Sequence, residues 1–114
     1  MRHRKCDCCV SQRFSSLREH HRVMLGVSYE PRYYNGSLKF WSFERGRGAP
    51  KGNGRIALQE VCDLADSLGV SIWLYTVVPE LYSYYESFRF EEKSRDNTYR
   101  EYLREPKQAL AMAA

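Results

Sequence analysis

Between residues 52 and 90 the hydrophobic pattern switches from helical spacing to a strand-like run and back. Few architectures accept that order. Gly52-Asn53-Gly54-Arg55 is a glycine turn. After it Ala57, Val61, Leu64, Ala65 and Leu68 recur at helical spacing, with Leu58 and Cys62 widening the stripe and Gln59, Asp63 and Asp66 facing the other way. Gly69 stands just past the last turn, where a left-handed residue commonly ends a helix. Ser71-Ile72-Trp73-Leu74-Tyr75-Thr76-Val77-Val78 is apolar and rich in β-branched and aromatic residues, so it reads as a strand covered on both faces. Pro79 fits the first position of a new helix, Glu80 suits the helix dipole, and Leu81, Tyr84, Tyr85 and Phe88 form a buried stripe. Phe90 and Glu91-Glu92-Lys93 then lead towards another strand at roughly residues 98–103. Helix between strands means α/β.

Upstream the pattern is weaker. Residues 1–12 show no periodicity, and Ser16-Leu17-Arg18-Glu19 has the form of a capping box that could start a short helix. Residues 22–30 alternate, with Val23, Leu25, Val27 and Tyr29 on one side, which suits a strand. Asn35-Gly36 is a hairpin signal, and Ser37-Leu38-Lys39-Phe40-Trp41-Ser42-Phe43 is the return strand. The chain divides into a basic segment (1–21), a core (22–106) and a tail (107–114) that carries little information.

At 114 residues, with 43% hydrophobic content, one domain can bury a core without metal or disulfide staples. No apolar run approaches the ~20 residues of a membrane span. The basic N-terminus lacks a following apolar stretch, so a secretory leader is not expected and a cytoplasmic location is. Cys6, Cys8 and Cys9 are crowded and Cys62 lies on a core stripe, which favours reduced thiols. With His3 they make a poor tetrahedral set, so no metal is expected. The net charge of +4 gathers in residues 1–22 and in Arg45, Arg47, Lys51 and Arg55 around the glycine turn. Charge of this size fits an acidic protein partner or plain solvation better than nucleic acid.

The turn carries the chemistry. A helix N-terminus presents unpaired N–H groups and partial positive charge, and glycines let a diphosphate approach the backbone closely. A lone Gly-x-Gly is more often only a turn; the basic loop, helix, strand and tyrosine helix around this one favour a phosphate site. Among the clustered tyrosines Tyr82, Tyr84 and Tyr85, any could pack a core or donate a proton, and spacing alone does not choose. Glu44 and Glu30 are candidates for a base, although a solvated carboxylate is the commoner fate of such residues.

Ala49-Pro50-Lys51-Gly52-Asn53-Gly54 resembles the Arg/Gln-x-x-Gly-x-Gly/Ala loop of the GNAT acetyltransferase superfamily, with Ala49 where the leading basic residue is usual. The segment from Tyr85-Glu86 to Phe90-Glu91 is similar to that family's Tyr-Glu-x-x-Gly-Phe-Glu ending, with Arg89 in place of glycine. The resemblance runs over residues 22–106 and is nearest in kind to very short, phage-encoded members. It implies a mixed, mostly antiparallel α/β sheet with a central pyrophosphate-binding helix and a reduced N-terminal helical arm. It implies acetyl-CoA as co-substrate, no metal, and direct attack of an amine, on a protein lysine or N-terminus, on the thioester. By the same resemblance Trp41, Ser42 and Phe43 would align the pantetheine arm. Lys51, Gly52, Asn53, Gly54 and Arg55 would hold the pyrophosphate, and Tyr85 would be the general acid. It leaves a homodimer open. The alternative is a catalytically inactive protein of the same fold that binds and modulates a macromolecular partner. A small nucleic-acid binder is a third and weaker reading.

Overall fold

The helix opened by the glycine turn runs from Asn53 to Leu68 (α2), and the rest of the fold is arranged against its apolar face. The structure is a computed structural model that describes residues 7–40, 44–45, 48–76, 79–95 and 99–107. Ala57, Leu58, Val61, Cys62 and Ala65 are buried. Gly69, at φ 71°, closes the helix, and its N–H and that of Val70 cap the carbonyls of Asp66 and Ala65.

Among the described residues five strands form the main sheet: β2 (Arg32–Tyr34), β3 (Ser37–Phe40), β5 (Ser71–Thr76), β6 (Glu91–Arg95) and β7 (Arg100–Arg104), in the order β2-β3-β5-β7-β6. β3 and β5 run parallel, joined through α2, and the other neighbours are antiparallel. Asn35 (φ 56°) and Gly36 (φ 85°) make the two-residue turn between β2 and β3. A separate short pair joins β1 (Val27–Ser28) to β4 (Glu44–Arg45).

The sheet is covered on one face. Tyr102 of β7 shares a face with Leu74 and packs against Tyr82 and Tyr85 of α3 (Tyr82–Glu86). Arg104, in register with Ile72, reaches Asp66 of α2 on that same side. Ile72, Leu74 and Thr76 are buried there, while Trp73 and Tyr75 on the opposite face stay half-exposed. The strand expected to be covered on both faces is therefore half-buried and alternating; residues 77–78 lie outside the described residues. Asp66, expected on the polar face of its helix, instead anchors β7.

The N-terminal region departs most from the sequence reading. One helix, α1, spans Asp7–Leu25 where a short helix and then a strand were expected. Val10, Phe14, Leu17 and His21 recur at three- and four-residue spacing, and Val10, Phe14 and His21 are buried. Val23 and Met24 sit on its solvent side, 61% and 65% exposed, and the alternation that imitated a strand carries only the two residues of β1. Gly26, at φ 69°, ends α1; a Cβ there would lie 3.1 Å from the Ala49 side chain. β6 was not expected as a strand at all. It is a charged edge strand, as edges usually are. Pro79–Leu81 forms a 3-10 turn before α3. Among the described residues no helix is long and apolar enough to cross a membrane.

Candidate active site

A cleft of about 450 Å³ lies between the start of α2 and the tyrosine helix. Lys51, Gly52, Gly54 and Arg55 line one side; Leu81, Tyr84 and Tyr85 line the other, and Val27 of β1 contributes an apolar patch.

The glycine side is shaped by its backbone. Gly52 precedes α2 at φ 99°, a conformation costly for any residue with a Cβ, and provides no side-chain cap. The N–H of Asn53 turns back to the Pro50 carbonyl at 3.2 Å, and that of Ile56 reaches the Gly52 carbonyl at 3.1 Å. Between them the N–H groups of Gly54 and Arg55 have no partner among the described residues. No acidic side chain occupies the first turn to answer the helix dipole. A Cβ on Gly54 would meet nothing within 4 Å, so the space above that backbone is open.

Asn53 is placed differently from its neighbours. Its side-chain amide donates to the Leu25 carbonyl at 2.9 Å, tying the start of α2 to the end of α1. Its side chain is thus a structural clamp. Trp41, Ser42 and Phe43 lie outside the described residues. What is described nearby is that Phe40 of β3 pairs with Leu74 of β5, that β4 pairs with β1, and that β5 continues beside β7 to Thr76.

On the tyrosine side the three hydroxyl-bearing rings separate. Tyr82 lies beneath the Arg100 guanidinium, 3.8 Å from ring centroid to Cζ, and tilts against Tyr102. It does not line the cleft. Tyr84 and Tyr85 both do, with their rings edge-to-face at 5.4 Å. Tyr85 is only 1% exposed and packs against Phe90 and Tyr102 as well. The Arg55 guanidinium closes the two walls together, 5.4 Å from the Tyr84 centroid and 5.0 Å from that of Phe88. Burial raises the Tyr84 hydroxyl above its ordinary pKa, with Arg55 pulling the other way. This cation–π bridge had no counterpart in the sequence reading, because it joins residues far apart in the chain. Val27 had none either, since β1 comes beside α2 only through the tertiary fold.

Of the carboxylates considered as bases, Glu30 accepts a 2.9 Å hydrogen bond from Arg18 and is thereby engaged. Glu44 pairs through its backbone with Ser28. Arg89, which stands where the resembling family has glycine, adopts φ 73°, the left-handed conformation that glycine favours. Its side chain reaches the Glu105 carbonyl at 3.3 Å and lies 3.8 Å from Asp66. Cys62 is buried behind the cleft and its thiol is pushed up to about 12 by burial, so it is not a ready nucleophile. Among the described residues no group of three His, Cys, Asp or Glu side chains could hold a metal ion.

No family model matches the chain, and no curated protein matches it either. Among solved structures it is similar to the crystal structure of PaiA N-acetyltransferase from Thermoplasma acidophilum in complex with coenzyme A, with a TM-score of 0.55 and 15% identity. The match covers 68% of this chain and 51% of that one, so the chain spans about half the length of that enzyme. The likeness establishes the fold: a mixed, mostly antiparallel open sheet with, among the described residues, three helices, a GNAT-like fold.

Proposed function

We propose that this protein is an acetyl-CoA-dependent N-acetyltransferase. The observation that carries the reading is the cleft in which unpaired N–H groups of Gly54 and Arg55, flanked by Lys51 and the Arg55 guanidinium, face two tyrosines. It is supported by the coenzyme A bound to the structural neighbour.

In this reading the α2 N-terminus and the two cations hold the pyrophosphate. The pantetheine arm passes Trp41 to Phe43, which follow β3 in the chain. An amine with its lone pair free attacks the thioester carbonyl. The tetrahedral intermediate collapses with cleavage of the carbon–sulfur bond, and the thiolate takes a proton from the Tyr85 hydroxyl, which is regained from solvent or from the acceptor ammonium. A thiol (pKa about 8.5) and a tyrosine (about 10) are close enough in acidity for that transfer to be shared in the transition state. Tyr84 is the rival donor. The acceptor is an amine on a protein, a lysine side chain or N-terminus.

Calorimetry with acetyl-CoA tests binding, and transfer of a labelled acetyl group tests chemistry. No heat with folded protein at roughly millimolar coenzyme, a Kd worth only about 4 kcal/mol, would overturn the enzyme reading. The second reading, an inactive binding protein on the same scaffold, is favoured only by Ala49, which puts no cation at the head of the glycine loop. That protein would engage its partner without coenzyme.

A further inference from the structure

Next to Phe40 of β3 and Tyr75 of β5, a second hollow of about 390 Å³ is also bounded by Glu30, Arg32 and Lys39. Arg32 and Lys39 are direct cross-strand partners in the β2–β3 hairpin. Like charges opposite one another destabilise an antiparallel ladder unless something between them is negative. Neither has a carboxylate partner among the described residues, and Glu30, the acid among the described residues that line the hollow, is already held by Arg18 at 2.9 Å. Tyr75 forms an aromatic wall beside them, stacked on Tyr99 with centroids 6.0 Å apart and planes at 28°. Two cations with no carboxylate partner among the described residues, next to an aromatic wall, suit an anion attached to an aliphatic stem.

We infer that this hollow selects the acceptor, and that the acceptor amine is carried next to carboxylates. Arg32 and Lys39 take the carboxylate, and Tyr75 covers the methylene stem that leads to the amine. The word acceptor rests on the acetyl-transfer reading; the anion site does not. The same chemistry could come from an acidic peptide or from a free amino dicarboxylate, and the test separates them.

Three probes are titrated into the full chain by calorimetry: a blocked peptide with lysine between glutamates, the same peptide with arginines in place of the glutamates, and free glutamate. The expected result is that the glutamate-flanked peptide binds at least roughly tenfold tighter than its arginine counterpart, and that added salt weakens it. The R32Q/K39Q variant should lose that preference while binding acetyl-CoA as the wild type does. Tighter binding of free glutamate than of the acidic peptide would assign the site to small acceptors. Equal binding of the two peptides, or a preference that survives R32Q/K39Q, overturns the proposal. If the acidic peptide binds and acetyl-CoA does not, the anion site stands and the acetyl-transfer reading falls.

Discussion

Arg104 grips Asp66 with two parallel hydrogen bonds, Nη1 to Oδ1 at 2.8 Å and Nη2 to Oδ2 at 3.1 Å, and so fastens β7 to α2. The same guanidinium donates through Nε to the Phe88 carbonyl at 2.8 Å, which fixes the exit of the tyrosine helix. Burial alone would raise the Asp66 carboxyl; hydrogen bonds from Arg104 and from the Lys107 N–H, with the nearby charges of Arg104 and Arg89, bring it below its ordinary value. A depressed folded pKa contributes stability that is fully present above the unfolded value, about 3.9, and is lost as pH falls through the folded one. Asp66→Asn should therefore lower stability at neutral pH and flatten its acid dependence below about pH 4. Arg104→Met should cost about 1–3 kcal/mol, because it removes two charge-assisted hydrogen bonds from Asp66, which keeps that of the Lys107 N–H and the nearby Arg89 charge. Urea denaturation across that pH range checks both.

His21, fully buried, bonds through both ring nitrogens: Nδ1 is 2.7 Å from the Tyr29 hydroxyl and Nε2 is 2.7 Å from Glu60 Oε1. With Nε2–H donated to the carboxylate, Nδ1 accepts from Tyr29, whose hydroxyl burial keeps protonated by raising its pKa. Tyr29→Phe should cost about 1–3 kcal/mol by leaving a buried acceptor unmet. Glu60→Gln keeps an acceptor oxygen for Nε2–H and should cost less, about 1 kcal/mol or under. Thermal or chemical melts of the two variants rank them; a gain in stability from Glu60→Gln, whose amide can donate to a bare Nε2, would reverse the tautomer.

The parts of this fold legible in the sequence are those whose signal is local. The stripe of α2, its Gly69 stop and the Asn35-Gly36 turn all depend on residues within a few positions of each other, and they stand where expected. α1 was obscured because one of its buried positions is His21, which reads as polar until Tyr29 and Glu60 satisfy it. β6 was obscured because an edge strand needs charge, and Glu91-Glu92-Lys93-Ser94-Arg95 has no apolar alternation to show. At the site, Lys51, Gly52, Gly54 and Arg55 were readable as a turn opening a helix. The bridge from Arg55 to Tyr84 and Phe88 was not, since it exists only once the chain has folded back through β5.

The two glycines of the turn should respond differently. Gly52→Ala forces a Cβ into a left-handed conformation and should cost about 1–2 kcal/mol. Gly54→Ala, in ordinary helical conformation and open space, should stabilise the helix by up to about 1 kcal/mol. Gly54→Val extends a branched side chain into the cleft and should weaken acetyl-CoA binding by roughly tenfold or more, over 1.4 kcal/mol. Unchanged coenzyme affinity in folded Gly54→Val would show that the turn is only a turn.

Arg89 holds its left-handed φ of 73° while using its side chain on Glu105 and Asp66. Arg89→Gly relieves the backbone and loses those contacts, so stability should change by no more than about 1 kcal/mol. Arg89→Val gains nothing and forces a β-branched residue into the same conformation, which should cost about 2 kcal/mol or more. Both are read by denaturant midpoints. A Val variant as stable as the Gly variant would mean that the turn relaxes to another conformation.

Removing single hydroxyls distinguishes the tyrosines at the cleft. Tyr85→Phe keeps the ring that packs on Phe90 and Tyr102, so the fold should survive. If its hydroxyl protonates the leaving thiolate, kcat should fall by the ~10²–10⁴-fold usual for a general acid. Coenzyme affinity should move far less, since that bond forms in the transition state. Tyr82→Phe should leave turnover near wild type, because that ring lies under Arg100 and away from the cleft. Tyr84→Phe is the decisive comparison, since Tyr84 shares the cleft wall and contacts Arg55 through its ring face, which the substitution retains. A large fall at Tyr84 with little change at Tyr85 would move the acid one residue along α3. Small, equal effects at both would leave the thiolate to be protonated by water.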